Sequence, residues 1–161
     1  MLPLGWIDRA PKLVAAPIVA AAPIVAAFDK DLVDVIPVVA RETVAGSIQV
    51  GNPVSLGWRA LAALRESRGS AVALSDAEIL EAQALTARLT GIFAEPAAAT
   101  SVAAARRLRD AGVIGGDDIV VCNLTGHGLK QPEAIQFSEK EFAPIPPTLE
   151  ALRDQVKRTE C

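Results

Sequence analysis

Apolar positions along the chain alternate between continuous runs and helical spacing, which predicts a mixed α/β fold. Short apolar runs occur at residues 71–74 (AVAL) and 119–124 (IVVCNL). Such runs are typical of strands that are buried on both faces, and residues 119–124 are predicted as the best strand in the chain. Apolar side chains recur at helical spacing in residues 56–67. Strands that alternate with helices imply a parallel sheet flanked by helices.

Capping signals predict where the helices begin and end. Ser75 and Glu78 form a capping box, in which the hydroxyl accepts the Glu78 N–H and the carboxylate accepts the Ser75 N–H. Gly91 is predicted to end the helix that follows. A further helix is predicted to open at Glu95-Pro96 and to stop at Gly112, and a Glu at such a start is usually a capping or helix-dipole carboxylate. Helices are also predicted over residues 23–30, 42–50 and 148–158.

The N-terminal region contains two overlapping copies of AAPIVAA, at residues 15–21 and 21–27. Because proline has no backbone N–H to donate, Pro17 predicts that the first copy is an edge strand or an irregular stretch. Pro23 fits the first turn of a helix. The apolar segment over residues 13–28 is shorter than the roughly 20 residues of a membrane span, so no membrane association is expected. It also has a faint likeness to the apolar part of a secretory signal, which leaves a secreted Ala/Pro-rich protein as an alternative.

Composition supports one folded domain. The chain has 161 residues, of which 51% are hydrophobic, and this excludes intrinsic disorder as the main state. Its net charge of −3 and its 4% aromatic content argue against a dedicated nucleic-acid binder, which normally has a basic face. We expect residues 1–143 to form the α/β domain and residues 144–161 to form a Pro-rich linker and a C-terminal helix.

Cys122 and Cys161 are the two cysteines, and His127 is the single histidine. Two thiols without a disulfide framework are expected of a cytoplasmic protein. Cys122 is interpreted as a small buried hydrophobe in a strand, and a thiol nucleophile beside His127 is the alternative. No metal site is predicted, because one His and two distant Cys cannot complete a four-ligand zinc site.

Three loops are candidates for function: residues 51–54 (GNPV), 91–97 (GIFAEPA) and 125–130 (TGHGLK). Thr125 lies at the carboxyl end of the best predicted strand, which is where ligands bind in open α/β sheets. His127 is interpreted as a structural residue, and a general base is the alternative. None of the loops is specific alone, and a Gly-rich phosphate cradle of the Walker or Rossmann kind is absent.

In combination and in this order, the motifs resemble the C-terminal half of threonine synthase, a fold-type II pyridoxal-phosphate (PLP) enzyme. The matching blocks are SIQVGNPVS from Ser47, AVALSDAEILEAQ from Ala71, GIFAEPAAA from Gly91 and VVCNLTGHGLK from Val120. The resemblance extends from about residue 5 to residue 158. It implies the C-terminal part of the tryptophan synthase β-like PLP-dependent fold, and the TGHGLK block favours threonine synthase over dehydratases and sulfhydrylases of that fold.

The resemblance also implies a reaction and one cofactor contact. The family converts O-phospho-L-homoserine and water into L-threonine and phosphate, with PLP as the electron sink. The Thr of the TGHG motif, here Thr125, would hydrogen-bond the pyridine nitrogen of PLP.

The chain lacks the blocks that supply most of the family's active site. The Schiff-base lysine lies in a Ser-Phe-Lys-Asp block, and none of the lysines here has that setting: Lys12, Lys30, Lys130, Lys140 and Lys157. The loop that holds the PLP phosphate is also absent. We therefore assign no catalytic residue and expect the chain to be inactive alone. The expected partner is a complementing N-terminal half or a second copy of this chain in a homo-oligomer. The alternative is a non-catalytic remnant domain that oligomerises or binds a small ligand.

Overall fold

A computed structural model describes residues 2–134 and 144–159, and their main elements are two short strands and five α-helices. The elements are β1 (Val14–Ala15), α1 (Pro23–Asp29), α2 (Gly57–Glu66), β2 (Ser70–Ala71), α3 (Asp76–Thr90), α4 (Pro96–Asp110) and α5 (Leu149–Thr159). None of these helices is long and apolar enough to cross a bilayer. Residue 143, the predicted end of the α/β domain, lies outside the described residues. Cys161 also lies outside them.

The two strands form a parallel sheet, and the pairing of the two segments resumes after Pro17. Strand β1 pairs with β2 in parallel, and an isolated parallel bridge between Ile18 and Leu74 extends the pairing. Pro17 has no N–H to donate, but its carbonyl oxygen accepts the Leu74 N–H at 2.9 Å. The Val19 N–H then donates to the Leu74 carbonyl oxygen, also at 2.9 Å. A parallel sheet with flanking helices is therefore confirmed, and Pro17 lies in a short, interrupted strand region.

The core lies between the sheet and the α3–α4 pair. Its largest fully buried side chains include Ile18, Leu74 and Ile79. Helix α4 contributes buried small side chains at Ala99 and Ala103. Small side chains on the facing surface allow the two helix backbones to approach closely, so this pair provides a firm base for the loops at its ends.

The predicted helix boundaries are confirmed where a local cap defines them. The Ser75 N–H donates to Glu78 Oε2 at 2.9 Å, and the Glu78 N–H donates to Ser75 Oγ at 3.4 Å, which completes the capping box. Gly91 ends α3 with a φ of +73°, in the left-handed region that favours glycine. Pro23 occupies the first turn of α1, and Thr148 Oγ1 accepts the Ala151 N–H at the start of α5.

The helix predicted over residues 42–50 is wrong, because only a single 3-10 turn forms there, at Gly46–Ile48. Side chains that are distant in sequence bind this segment instead. Asp76 accepts hydrogen bonds from Thr43 Oγ1 at 2.6 Å and from the Val44 N–H at 3.2 Å. Gln131 Nε2 donates to the Val44 carbonyl oxygen at 2.7 Å. The Val44 carbonyl oxygen, which would accept the Ile48 N–H in an α-helix, thus accepts from Gln131, and the Ile48 N–H donates to the Ala45 carbonyl oxygen at 3.1 Å.

The strand predicted over residues 119–124 is also wrong. The segment has no regular secondary structure, and Ile119 and Val121 are 95% and 81% exposed. Its apolar pattern is that of a buried strand, but no other strand among residues 2–134 and 144–159 pairs with it. Cys122 is accordingly half-buried and lies outside any strand.

Candidate functional site

Two of the three candidate loops lie side by side, joined by an antiparallel bridge between Ala94 and His127. The Glu95 N–H donates to the Gly126 carbonyl oxygen, and the Gly128 N–H donates to the Phe93 carbonyl oxygen, each at 2.9 Å. The bridge ties residues 125–130, named here the Thr125 loop, to the turn that leads into α4. The fold therefore brings together the GIFAEPA and TGHGLK motifs.

The glycines of the Thr125 loop make room for large side chains. A Cβ atom on residue 126 would overlap the carboxyl group of Glu95, and one on residue 128 would overlap the ring of Phe93. A substitution at residue 126 would therefore have to displace the buried carboxyl group of Glu95, and one at residue 128 would have to displace the Phe93 ring. The alternation of two large residues at 93 and 95 therefore matches the alternation of two glycines at 126 and 128.

Glu95 is a buried carboxylate at the base of the Thr125 loop. Its side chain is 9% exposed, and its Oε2 lies 3.7 Å from Lys130 Nζ, which is on a side chain 64% exposed. Gln83 fixes the same turn from α3, because its Nε2 donates to the Ala94 carbonyl oxygen at 2.7 Å. The Glu95 side chain makes no capping hydrogen bond to α4. The prediction of a capping hydrogen bond is therefore wrong, and the side chain is directed to the Thr125 loop; the helix-dipole alternative stays a prediction, since Glu95 precedes the first residue of α4.

His127 has local structural contacts. Its Nδ1 accepts the Leu129 N–H at 3.1 Å and so caps the 3-10 turn Gly128–Lys130. Its ring meets the Phe93 ring edge to face, with centroids 5.7 Å apart and planes at 81°. These contacts support the structural interpretation of His127.

Thr125 is exposed on this fixed loop, and its hydroxyl makes no hydrogen bond to the parts of the chain that the structure describes. The hydroxyl is therefore available to a ligand. The third candidate loop lies elsewhere: the Gly51 carbonyl oxygen accepts the Val38 N–H at 2.9 Å, and Asn52 Oδ1 accepts the Val54 N–H at 3.0 Å. Within the described ranges, no hydrogen bond links it to the Thr125 loop.

Cys122 does not pair with His127 in the described structure. Its Sγ lies 3.6 Å from the Ser101 carbonyl oxygen, to which the thiol donates. Burial raises the pKa of the Cys122 thiol, against a smaller opposing effect of this hydrogen bond. A raised pKa disfavours the nucleophilic thiolate. Among residues 2–134 and 144–159, no three His, Cys, Asp or Glu side chains are grouped so that they could hold a metal ion.

Residues 2–126 match the family model described as "Pyridoxal-phosphate dependent enzyme". The chain belongs to this family. It is 44% identical over 137 residues to threonine synthase of Methanocaldococcus jannaschii, in an alignment that covers 84% of this chain and 34% of that protein. It is 42% identical over 153 residues to threonine synthase of Methanosarcina acetivorans, covering 95% of this chain and 38% of that one. The resemblance to the C-terminal half of threonine synthases is thereby confirmed.

The fold of this PLP-dependent family is also found among solved structures. The crystal structure of a threonine deaminase from T.th. superposes with a TM-score of 0.51 at 20% identity, covering 78% of this chain and 40% of that chain. The likeness establishes the fold class predicted from the sequence. The chain spans between a third and two fifths of the length of the threonine synthases that it matches.

The residues present fit one part of PLP. An exposed hydroxyl with no hydrogen-bond partner among the described residues is suited to bond a ring nitrogen, and the Thr125 loop presents it on a fixed backbone. The sequence points to Thr125 through the motif and through a predicted strand end, and that strand does not form in the described residues. It did not identify Glu95 as part of the loop's support, although the paired spacing of residues 93/95 and 126/128 is a signal that could have found it.

Proposed function

We propose that this chain is the C-terminal portion of a threonine synthase-type site and supplies the contact to the pyridine ring of PLP. The observation that supports this most directly is the exposed hydroxyl of Thr125, unpartnered within the described residues, on a loop held by backbone hydrogen bonds to Phe93 and to the buried Glu95. The role of the chain would be to hold the ring in one orientation through a hydrogen bond from Thr125. PLP itself would supply the electron sink.

The proposed overall reaction converts O-phospho-L-homoserine and water into L-threonine and phosphate. In such a reaction a neutral hydroxyl at the pyridine nitrogen orients the ring without holding that nitrogen protonated, as an aspartate would. Thr125 would therefore affect the binding of PLP and the electron distribution in its pyridine ring. Proton transfer at the substrate would be carried out by groups outside this chain. We accordingly assign Thr125 to cofactor binding and no residue of this chain to catalysis.

We propose that activity requires the N-terminal portion that the matched threonine synthases possess in addition. None of the lysines lies in a Ser-Phe-Lys-Asp setting, so the chain has no assigned amine for a Schiff base. The exposed apolar side chains of Ile119 and Val121 lie just before the Thr125 loop in the chain. An apolar segment with the pattern of a buried strand is suited to pair with another strand, and this supports a complementing chain segment next to the site.

Complementation tests the proposal. The chain is co-expressed in a threonine auxotroph with the N-terminal portion of the Methanocaldococcus jannaschii enzyme, and growth without threonine is scored. We expect growth from the pair and none from either part alone. Thr125→Val, which removes the hydroxyl at nearly constant volume, is expected to reduce growth and PLP retention, whereas Thr125→Ser retains both.

Borohydride reduction of the purified pair with PLP, followed by peptide mapping, identifies the lysine that binds the cofactor. We expect the pyridoxyl group on the supplied N-terminal portion. The same reduction is carried out on this chain without the N-terminal portion, and a stoichiometric label on one of its lysines, with Lys130 the first to inspect, would refute the proposed inactivity of the chain alone. A soluble chain that neither associates with the N-terminal portion nor responds to PLP would instead support the remnant domain.

A further inference from the structure

We propose that Glu95 and Lys130 form a clamp that positions the Thr125 loop, with Glu95 acting as a positioning residue for Thr125. The inference rests on the proposed function, because only there does Thr125 contact a ligand. It goes further in assigning roles to two residues that touch no substrate. It predicts that the geometry of the cofactor contact depends on an ion pair beneath the loop.

The burial of Glu95 is the first observation that supports the clamp. A carboxylate is costly to bury unless a counter-charge or hydrogen bonds compensate it. Among the described residues, Lys130 is the cation paired with it, with Nζ 3.7 Å from Oε2. The pairing joins the start of α4 to the last residue of the Thr125 loop.

The second observation is that Glu95 contacts the loop at both ends. Its N–H donates to the Gly126 carbonyl oxygen at 2.9 Å. Its carboxyl group occupies the space in which a Cβ atom on residue 126 would lie. Gly126 directly follows Thr125, and Lys130 closes the loop four residues later. Backbone and side chain of one residue therefore contact the loop before its 3-10 turn, at Gly126, and at the last residue of that turn, Lys130.

The third observation is that the clamp stands on a rigid support. Glu95 directly precedes Pro96, the first residue of α4, and Pro96 is fully buried. Helix α4 packs along α3 in the core, and Gln83 of α3 also bonds the turn at Ala94. Displacement of the loop therefore requires either moving the core or breaking the ion pair together with the two hydrogen bonds of the Ala94–His127 bridge.

A second ion pair on the same two helices provides a matched control. Arg106 Nη1 lies 2.8 Å from Glu81 Oε2, and the two side chains are 55% and 68% exposed. This pair links α3 and α4 at the surface. Within the described residues it makes no hydrogen bond or ion pair to the Thr125 loop. Its removal should leave the Thr125 loop unchanged, because neither of its side chains bonds that loop in the described residues.

Amide hydrogen exchange on the 161-residue chain tests the clamp without any cofactor. We expect the Gly128 and Glu95 amides to exchange about threefold to tenfold faster in Lys130→Met and in Glu95→Gln than in the unmodified chain. The amides of Ile79 and Ala82 in α3 should be unaffected, and Arg106→Met should change none of them. Unchanged exchange at Gly128 in Lys130→Met would overturn the clamp, whatever the function of the chain.

PLP retention by the complemented pair tests the positioning role. Lys130→Met should release PLP faster on dialysis, as followed by cofactor absorbance, and Lys130→Arg should restore retention because it keeps the charge. A loosened loop with unchanged retention in Lys130→Met would overturn the positioning role. Unchanged retention in Thr125→Val would overturn the proposed function itself, so the two failures are distinguishable.

Discussion

The carboxyl group of Glu95 occupies the space that a Cβ atom on residue 126 would need, while the Glu95 N–H donates to the Gly126 carbonyl oxygen at 2.9 Å. The two residues are thus in contact through both backbone and side chain. The position of Thr125 depends on this contact, because Thr125 is the neighbour of Gly126 in the chain. Because Gly126 has no Cβ atom, the Thr125 loop can lie directly against the Glu95 side chain at the start of α4.

Gly126→Ala is expected to destabilise the protein by about 1–3 kcal/mol, because the added methyl group meets the buried carboxyl group of Glu95 and must displace it. Urea unfolding measures the change. Gly116→Ala is the matched control, since the nearest side-chain atom there lies at 3.8 Å, an ordinary contact distance. Equal stability of Gly126→Ala and Gly116→Ala would contradict the close packing described for the loop.

Ser75→Ala should reduce the free energy of unfolding by about 0.5–2 kcal/mol, because it removes the hydroxyl that caps the Glu78 N–H at the start of α3. Thermal unfolding followed by circular dichroism measures it. Ser47→Ala provides the control, because Ser47 is exposed in a 3-10 turn. A loss no larger than that of Ser47→Ala would mean that the capping box does not stabilise α3.

Stability should also depend on the ionisation of Glu78. Burial raises the pKa of its carboxyl group, but the hydrogen bonds from Ser75 and the positive charge of Arg107, 2.6 Å away, outweigh burial and leave the pKa lowered. The native state then favours the carboxylate more than the unfolded state does. The stabilisation is fully present above the unfolded pKa of about 4.3 and is lost as pH falls through the lower folded value.

Urea unfolding of Glu78→Gln and of the unmodified chain between pH 7 and pH 3 checks this. The unmodified chain should be more stable at pH 7, and the difference should shrink as pH falls. Glu81→Gln, which alters an exposed carboxylate on the same helix, provides the control. A difference that grows towards low pH would have the wrong sign and would refute this account of Glu78.

Cys122 should react slowly with thiol reagents in the folded chain, because burial raises its pKa and lowers the thiolate fraction. The rate of iodoacetamide alkylation at pH 7.5 is measured by mass spectrometry in a Cys161→Ser background, which isolates the Cys122 signal. We expect faster reaction once the chain is unfolded in guanidinium chloride. A folded chain that reacts as fast as the unfolded one would revive the thiol-nucleophile alternative.

The parts of the candidate site could be read from the sequence, but their arrangement could not. The TGHGLK and GIFAEPA motifs were each identified as loops, and Thr125 was singled out by its position and by the family motif. Nothing local in either motif states that Ala94 pairs with His127, or that Glu95 lies against Gly126. Those contacts join residues about thirty positions apart, and they depend on how α4 packs in the core.

The sequence by itself determined the helix boundaries that local caps define, at Ser75, Gly91 and Pro23. Caps and glycines act within one turn of the backbone, so their effect does not depend on the rest of the fold. Tertiary structure alone decided the fate of residues 42–50 and 119–124. The first forms only a 3-10 turn, and its Val44 donates to Asp76 and accepts from Gln131. The second has a strand's apolar pattern without a neighbouring strand in the described residues. A strand requires a second strand with which to form hydrogen bonds, and in a parallel sheet that strand is distant in sequence. An apolar run is therefore not sufficient to form a strand by itself.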